Sequence, residues 1–178
     1  MHFRQPNNQE PASYETWAFF YARVGNVVTK KHIKAHIYKK KGKFHIEKLD
    51  LQVKRSLTGL GLFTFSDIKK GKCIIEYVGP TLTAKQEEDS NSLYLFEVTK
   101  TKTIDGAVKW NTARYINHSC RPNCEIDIYK GRVWVMAKRN IKAGEELHYD
   151  YDTSYFEAYI KPKGCKCIKH APKLWAKK

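Results

Sequence analysis

The feature that most narrows the fold of this chain is the shape of its apolar runs: they are short, they alternate with polar residues, and turn-forming residues bound them. Glu125-Ile126-Asp127-Ile128-Tyr129 and Arg132-Val133-Trp134-Val135-Met136 alternate cleanly, with Lys130-Gly131 between them. Successive strand side chains point to opposite faces, and a tight two-residue turn needs the positive φ that glycine adopts readily, so this is the strongest hairpin signal present. Residues 60–65, 73–78, 93–98, 103–105 and 147–151 read as further strands. Helical signals are confined to 84–89 and 154–160. The sequence shows no internal repeat, no low-complexity tract and no dinucleotide-type glycine fingerprint after a strand. A mainly β domain follows.

Charge divides the chain differently. The formal net charge is +15, but residues 56–155 carry 14 basic and 13 acidic side chains. Residues 1–55 carry 12 and 4, and residues 156–178 carry 7 and 1. A near-neutral body with basic ends suits solubility or an acidic partner such as nucleic acid. Residues 1–13 read as poorly ordered, and the aromatic stretch 14–24 as packed on the body. Residues 32–38 read as a strand with one wet face, 39–43 as a turn and 44–46 as the return strand. No apolar run near the start is long enough for a signal peptide or a membrane span. Five cysteines are an odd count and, without a secretory signal, read as reduced thiols or metal ligands. The expectation is a soluble intracellular monomer without membrane contact, nuclear or chromosomal in a eukaryotic setting and cytoplasmic otherwise.

Three segments carry chemistry. Gly59-Leu60-Gly61 allows close approach of backbone to a ligand, although glycines bounding a strand are common. Residues 113–124, Ala-Arg-Tyr-Ile-Asn-His-Ser-Cys-Arg-Pro-Asn-Cys, crowd polar, turn-forming and metal-capable side chains around an apolar pair. Gly144-Glu145-Glu146-Leu147-His148-Tyr149-Asp150-Tyr151 feeds a turn into a strand with two tyrosines on one face.

In order, Gly59-Leu60-Gly61, Glu76-Tyr77-Val78-Gly79, Arg114-Tyr115-Ile116-Asn117-His118-Ser119-Cys120 and Gly144 to Tyr151 resemble the motif series of the SET-domain protein-lysine methyltransferases. The resemblance covers roughly residues 50–152. It implies small β-sheets around a knot-like core, with 1–49 as a basic, aromatic flanking segment and 153–178 as a post-SET-like tail. The segment between Gly79 and Leu93, variable in the family, is short here, so the resemblance is to a minimal SET domain. The implied reaction moves a methyl group from S-adenosylmethionine to a lysine of a basic protein, histone-like or ribosomal. The competing reading is a catalytically weak SET module that acts as a chromatin or nucleic-acid interaction protein through its basic ends.

The resemblance also implies roles. Gly59, Leu60, Gly61, Tyr77, Arg114, Asn117 and His118 fall on the cofactor side, with Leu60 standing where the family usually has a large aromatic. Tyr151 matches the active-site tyrosine, and its hydroxyl would orient the amine or polarise the methyl; a phenol titrating near ~10 is a poor general base. Tyr94 would line the lysine channel. Tyr149 occupies a position that is Phe or Tyr in the family and implies mono- or dimethylation. Cys120, Cys165, Cys167 and His170 would bind zinc, the histidine standing in for a later cysteine. The alternative is a metal-free tail packed through Ile168, Leu174 and Trp175. Cys73 and Cys124 read as buried thiols. Glu87, Glu88, Asp89, Glu145, Glu146, Asp150 and Asp152 could rim the channel and favour a basic peptide.

Overall fold

A computed structural model describes residues 33–34, 44, 46 and 48–176. The aromatic stretch 14–24 and the turn at 39–43 lie outside the described residues. Of the hairpin expected between 32–38 and 44–46, only fragments are described, and they pair elsewhere. Strand β1 (Ile33–Lys34) runs parallel to β6 (Leu95–Thr99), and Ile46 bridges Cys73.

The remaining strands are β2 (Leu51–Ser56), β3 (Gly59–Thr64), β4 (Cys73–Tyr77), β5 (Thr81–Leu82), β7 (Lys102–Asp105), β8 (Asn117–His118), β9 (Cys124–Tyr129), β10 (Arg132–Ala137) and β11 (His148–Tyr149). They form a four-stranded sheet in the order β1-β6-β7-β5, a three-stranded sheet β4-β10-β9, and two pairs, β2-β3 and β8-β11. The architecture is the mainly β arrangement of small sheets that the sequence implies.

The hairpin at 124–137 forms as its alternation requires. Lys130 and Gly131 both take positive φ, 50° and 70°, as a tight primed turn demands. Every residue of β10 from Val133 to Ala137 is buried, because both faces of this central strand are covered. Val133, Val135 and Ala137 enter the main core with Leu62, Ile74, Ile116, Ile141 and Leu147. Trp134 and Met136 face a second cluster with Cys73, where Phe44 stacks on Trp134 at 5.2 Å. Cys73 and Cys124 are indeed buried.

Helices are few and short. Helix α1 (Ala84–Glu88) opens with a capping box, Thr83 accepting from the Gln86 amide while the Gln86 side chain accepts from that of Thr83. Helix α2 (Asp152–Tyr155) passes directly into a π-helical turn (Phe156–Ile160) and a 3-10 turn (Lys161–Lys163), and α3 (Pro172–Trp175) closes the described chain. Among the described residues no helix is long and apolar enough to cross a membrane.

The strand expected over 147–151 shortens to His148–Tyr149, because its partner is only two residues long. The pairing is parallel, Asn117 with His148 and His118 with Tyr149, joining segments that lie thirty-one residues apart in sequence. Asn123 laces them further: its Oδ1 accepts from the His148 amide at 2.7 Å and its Nδ2 donates to the Glu146 carbonyl at 2.8 Å. Ser119 N donates to the Tyr149 carbonyl at 3.0 Å. Just past the crossing the chain leaves extended geometry, with Asp152 at φ 72°, and enters α2.

Candidate active site and metal centre

The first wall of the site is the β2–β3 hairpin. Its tip pairs Ser56 with Gly59, and Gly59 adopts φ 117°, a conformation side chains disfavour. Gly61 is required for a different reason: a Cβ there would lie 2.2 Å from Glu146 Oε1. The Glu146 carboxylate is buried against this strand. It accepts from Ser56 Oγ at 2.6 Å and Asn117 Nδ2 at 2.9 Å, and His148 Nε2 lies 3.5 Å away. Burial pushes its pKa up, but the bonds from His148, Ser56 and Asn117 outweigh burial and hold it below the usual carboxylate value.

Asn117 Nδ2 also donates to the Leu60 carbonyl at 2.9 Å. Both protons of that amide therefore serve the scaffold, and what Asn117 offers a ligand is its main chain and side-chain oxygen. Glu146, expected among the rim acids, is 6% exposed and turned inward. Asp150, by contrast, has a 59% exposed side chain and does face solvent.

The second wall is aromatic. Tyr151 packs on Tyr149 at 4.8 Å and edge-on to Tyr155 at 5.2 Å, and Tyr155 packs on Tyr159 at 4.7 Å. The Tyr151 hydroxyl donates to the Ile116 carbonyl at 2.6 Å. Its only proton is thereby engaged, and its oxygen presents lone pairs. Burial raises the pKa of Tyr149 and of Tyr155 well above the ordinary phenol value, so this wall stays neutral.

Tyr94 carries the Arg114 guanidinium over its ring at 4.4 Å, and Arg114 Nη1 also donates to the Ala107 carbonyl. Arg114 Nε is buried without a hydrogen-bond partner. Tyr77 lies behind Tyr94: it is 4% exposed, and its hydroxyl donates to the Tyr94 carbonyl at 2.8 Å. Its packing against Gly106, where a Cβ would fall 2.1 Å from the hydroxyl, makes it a buttress of Tyr94.

His118 joins the tyrosine wall to the cysteine tail. Its Nδ1 accepts from the Tyr151 amide at 3.2 Å, and its Nε2 lies 3.2 Å from Cys120 Sγ. Burial lowers its pKa to about 4 despite the neighbouring Asp150 carboxylate, so the ring is neutral at pH 7. With Nδ1 accepting, the proton is assigned to Nε2, which donates toward sulfur.

The tail folds Cys165, Cys167 and His170 onto Cys120. One ligand atom from each of the four lies within 4.8 Å of the others. Cys120 Sγ is 4.0 Å from Cys165 Sγ, and Cys167 Sγ is 3.5 Å from His170 Nδ1. A tetrahedral zinc with ~2.3 Å bonds to sulfur sets its thiolates about 3.8 Å apart, so donor set and spacing both fit that ion. Ile168 is 50% exposed and does not seal the tail apolarly.

The structure therefore places the sequence-derived residues around one crossing: the hairpin glycines on one side, Tyr94, Tyr149 and Tyr151 on the other, and the cysteine group behind His118. Sequence reasoning missed Ser56 as a partner of Glu146, Tyr155 as part of the wall, and the Ile116 carbonyl. A main-chain acceptor leaves no mark in a sequence.

These features define a class: a small-sheet β domain in which two distant segments run side by side and carry a glycine hairpin and a tyrosine wall on either flank. The SET domain family matches residues 59–152, and the chain belongs to that family. It is 40% identical over 107 residues to histone-lysine N-methyltransferase trr of Drosophila melanogaster, covering 53% of this chain and 4% of that protein. It is 35% identical over 136 residues to histone-lysine N-methyltransferase ASHH3 of Arabidopsis thaliana, covering 69% of this chain and 36% of that protein. It is 38% identical over 117 residues to the H3 lysine-36 specific histone-lysine N-methyltransferase of Mus musculus, covering 58% and 4%. The chain thus spans at most about a third of the length of these relatives. Among solved structures it is similar to a chain of an active polycomb repressive complex 2 in the basal state, with a TM-score of 0.51 and 32% identity over 57% of this chain and 15% of that one.

Proposed function

We propose that the protein is a protein-lysine N-methyltransferase that methylates a histone or similarly basic protein on chromatin and adds one or two methyl groups. The observation that carries this reading is the Tyr151 hydroxyl, committed as a donor to the Ile116 carbonyl at 2.6 Å beside the β8–β11 crossing. An oxygen held in that state accepts from a neutral lysine amine and orients it, while the neighbouring neutral tyrosines keep charge and water away.

S-adenosylmethionine, when bound, supplies a methyl group already activated by a sulfonium. The residues suit it: Gly59 is exposed at the tip of the hairpin with Leu60 half-buried beside it, and the phenols of Tyr149 and Tyr155 stay neutral, so their faces and oxygens would suit a positive sulfur. The chain's own task is alignment. Asn117 fixes the Leu60 carbonyl, His118 fixes the Tyr151 main chain, and Arg114 fixes the face of Tyr94. Tyr149, buried beside Tyr151, narrows the space left for a methylated amine, which supports mono- or dimethylation.

Cys120, Cys165, Cys167 and His170 would hold a zinc ion whose part is to tether the tail over the tyrosine wall. The basic segments at both ends suit contact with the phosphates around a chromatin substrate.

The test is transfer of labelled methyl from S-adenosylmethionine to purified histones and ribosomal proteins, read by mass spectrometry. Tyr151→Phe should lower turnover by about 100-fold without unfolding the protein. Tyr149→Phe should shift the product toward more methyl groups. Absence of transfer to every protein offered sinks the assignment, and an unchanged product ratio in Tyr149→Phe sinks the role of that residue.

A further inference from the structure

We propose that Glu146 is a positioning residue that sets the β2–β3 hairpin tip against the crossing and so governs affinity for the methyl donor, not for the protein substrate. The role rests on the methyltransferase reading above.

A carboxylate 6% exposed is costly to bury and persists only where donors surround it. Here each contact reaches a different part of the site. Ser56 Oγ, at 2.6 Å, belongs to the tip residue that pairs with Gly59. Asn117 Nδ2, at 2.9 Å, reaches the Leu60 carbonyl with its other proton. Gly61 lies so close to the carboxylate that no side chain fits between them. On the far side, Asn117 and His148 are register partners in the β8–β11 crossing, and both address the same carboxyl oxygen.

The base of the hairpin needs no such help. Leu147 N donates to the Leu62 carbonyl at 2.7 Å and Thr64 N to the Glu145 carbonyl at 3.0 Å. Main-chain bonds fix residues 62–64, and the Glu146 carboxylate fixes residues 56–61. The latter are the residues that would approach the donor, and the contacts of the Glu146 carboxylate run to Ser56, Asn117 and His148, in the hairpin tip and the crossing.

The experiment compares wild type, Ser56→Ala, Glu146→Gln and the double variant. Affinity for S-adenosylhomocysteine is measured by calorimetry, KM for a histone by steady-state transfer, and hydrogen exchange at the amides of 56–61 by mass spectrometry. Each single variant should weaken S-adenosylhomocysteine binding by about tenfold, as loss of a bond to a buried charge does. Histone KM should stay within about twofold, and the double variant should bind no worse than Glu146→Gln alone, because both changes cut one network. Exchange at 56–61 should quicken while 62–64 stays protected. If Glu146→Gln fails to fold, Ser56→Ala decides.

Unchanged S-adenosylhomocysteine affinity in the folded variants, or histone KM rising in step with it, overturns the proposal. If wild type binds no S-adenosylhomocysteine, the functional reading has failed instead. Exchange then decides the positioning role alone, and unaltered protection at 56–61 ends it.

Discussion

The two walls of the site are built by opposite means. The hairpin wall is held by a buried carboxylate, short hydrogen bonds and a glycine with no room for a side chain. The wall formed by Tyr151 and the tail is held by ring contacts of 4.7–5.5 Å and by a thiol–imidazole cluster. The residues of α2 and of the π-helical turn after it, Tyr155 among them, are half-buried or exposed. Hydrogen bonds to a buried charge tolerate little displacement, whereas tilted rings slide at small cost. The hairpin wall is therefore set by hydrogen bonds formed as the domain folds, whereas the tail wall rests on ring contacts and on the closeness of Cys120, Cys165, Cys167 and His170.

The sharpest way to break this contrast is Gly61→Ala. The new Cβ would sit 2.2 Å from Glu146 Oε1 and 3.1 Å from Ser56 Cβ, so the carboxylate must leave its donors or the hairpin must open. A loss of more than about 3 kcal/mol is expected, from overpacking together with a stranded charge. The midpoint of urea unfolding measures it. An unmoved midpoint would show that the hairpin shifts freely and that the two walls are alike.

Removing metal from the tail comes next. Chelation of zinc-loaded protein, or Cys167→Ser, should release the tail to protease and lower methyl transfer by roughly 10- to 100-fold, the range seen when support of a metal site is lost. Exchange protection of β2–β3 should stay as it was. If hairpin and tail loosen together, the walls are one cooperative unit.

What the sequence conveyed about these walls follows the same division. Strand alternation located β9, β10 and their turn to within a residue, because period-two burial is a local signal. The motif series singled out Tyr149 and Tyr151, which pack on each other, and Cys120, Cys165, Cys167 and His170, which the fold draws together, because chemistry-bearing side chains at set spacing are visible in one dimension. The sequence did not reveal that Glu146 turns inward while its neighbour Glu145 pairs with Arg139 at the surface. Adjacent strand residues face opposite sides, but which side is core depends on where the hairpin lands. Nor did it separate Tyr77 from the ligand-facing residues, since only packing against Gly106 shows where its hydroxyl goes.

Acid should distinguish the walls more gently. The folded pKa of Glu146 lies below its ordinary value of 4.5. Its contribution to stability is therefore complete above that ordinary value and is lost as pH falls through the lower folded one. The melting temperature of wild type should decline below about pH 4.5, and Glu146→Gln, which carries no titrating carboxyl, should show a shallower decline from a lower starting point. Parallel acid limbs in the two proteins would mean that other carboxylates dominate and that the hairpin wall owes little to this charge.

The smallest effect is expected from Glu157→Ala, and its smallness is what matters. Glu157 pairs with Lys161 one helical turn on at 2.7 Å, but the side chains are 47% and 62% exposed. An exposed pair at this spacing contributes about 0.5 kcal/mol or less, because water screens it and both side chains lose freedom in forming it. If ring contacts and the cysteine cluster hold the tail, removing Glu157 should leave its protease resistance and the melting temperature nearly unchanged, at any salt concentration. A large, salt-sensitive loss would show that surface charge holds the tail in place. The second wall would then be electrostatic like the first, only wetter, and the distinction between a wall fixed by folding and a wall fixed by its thiols would fall.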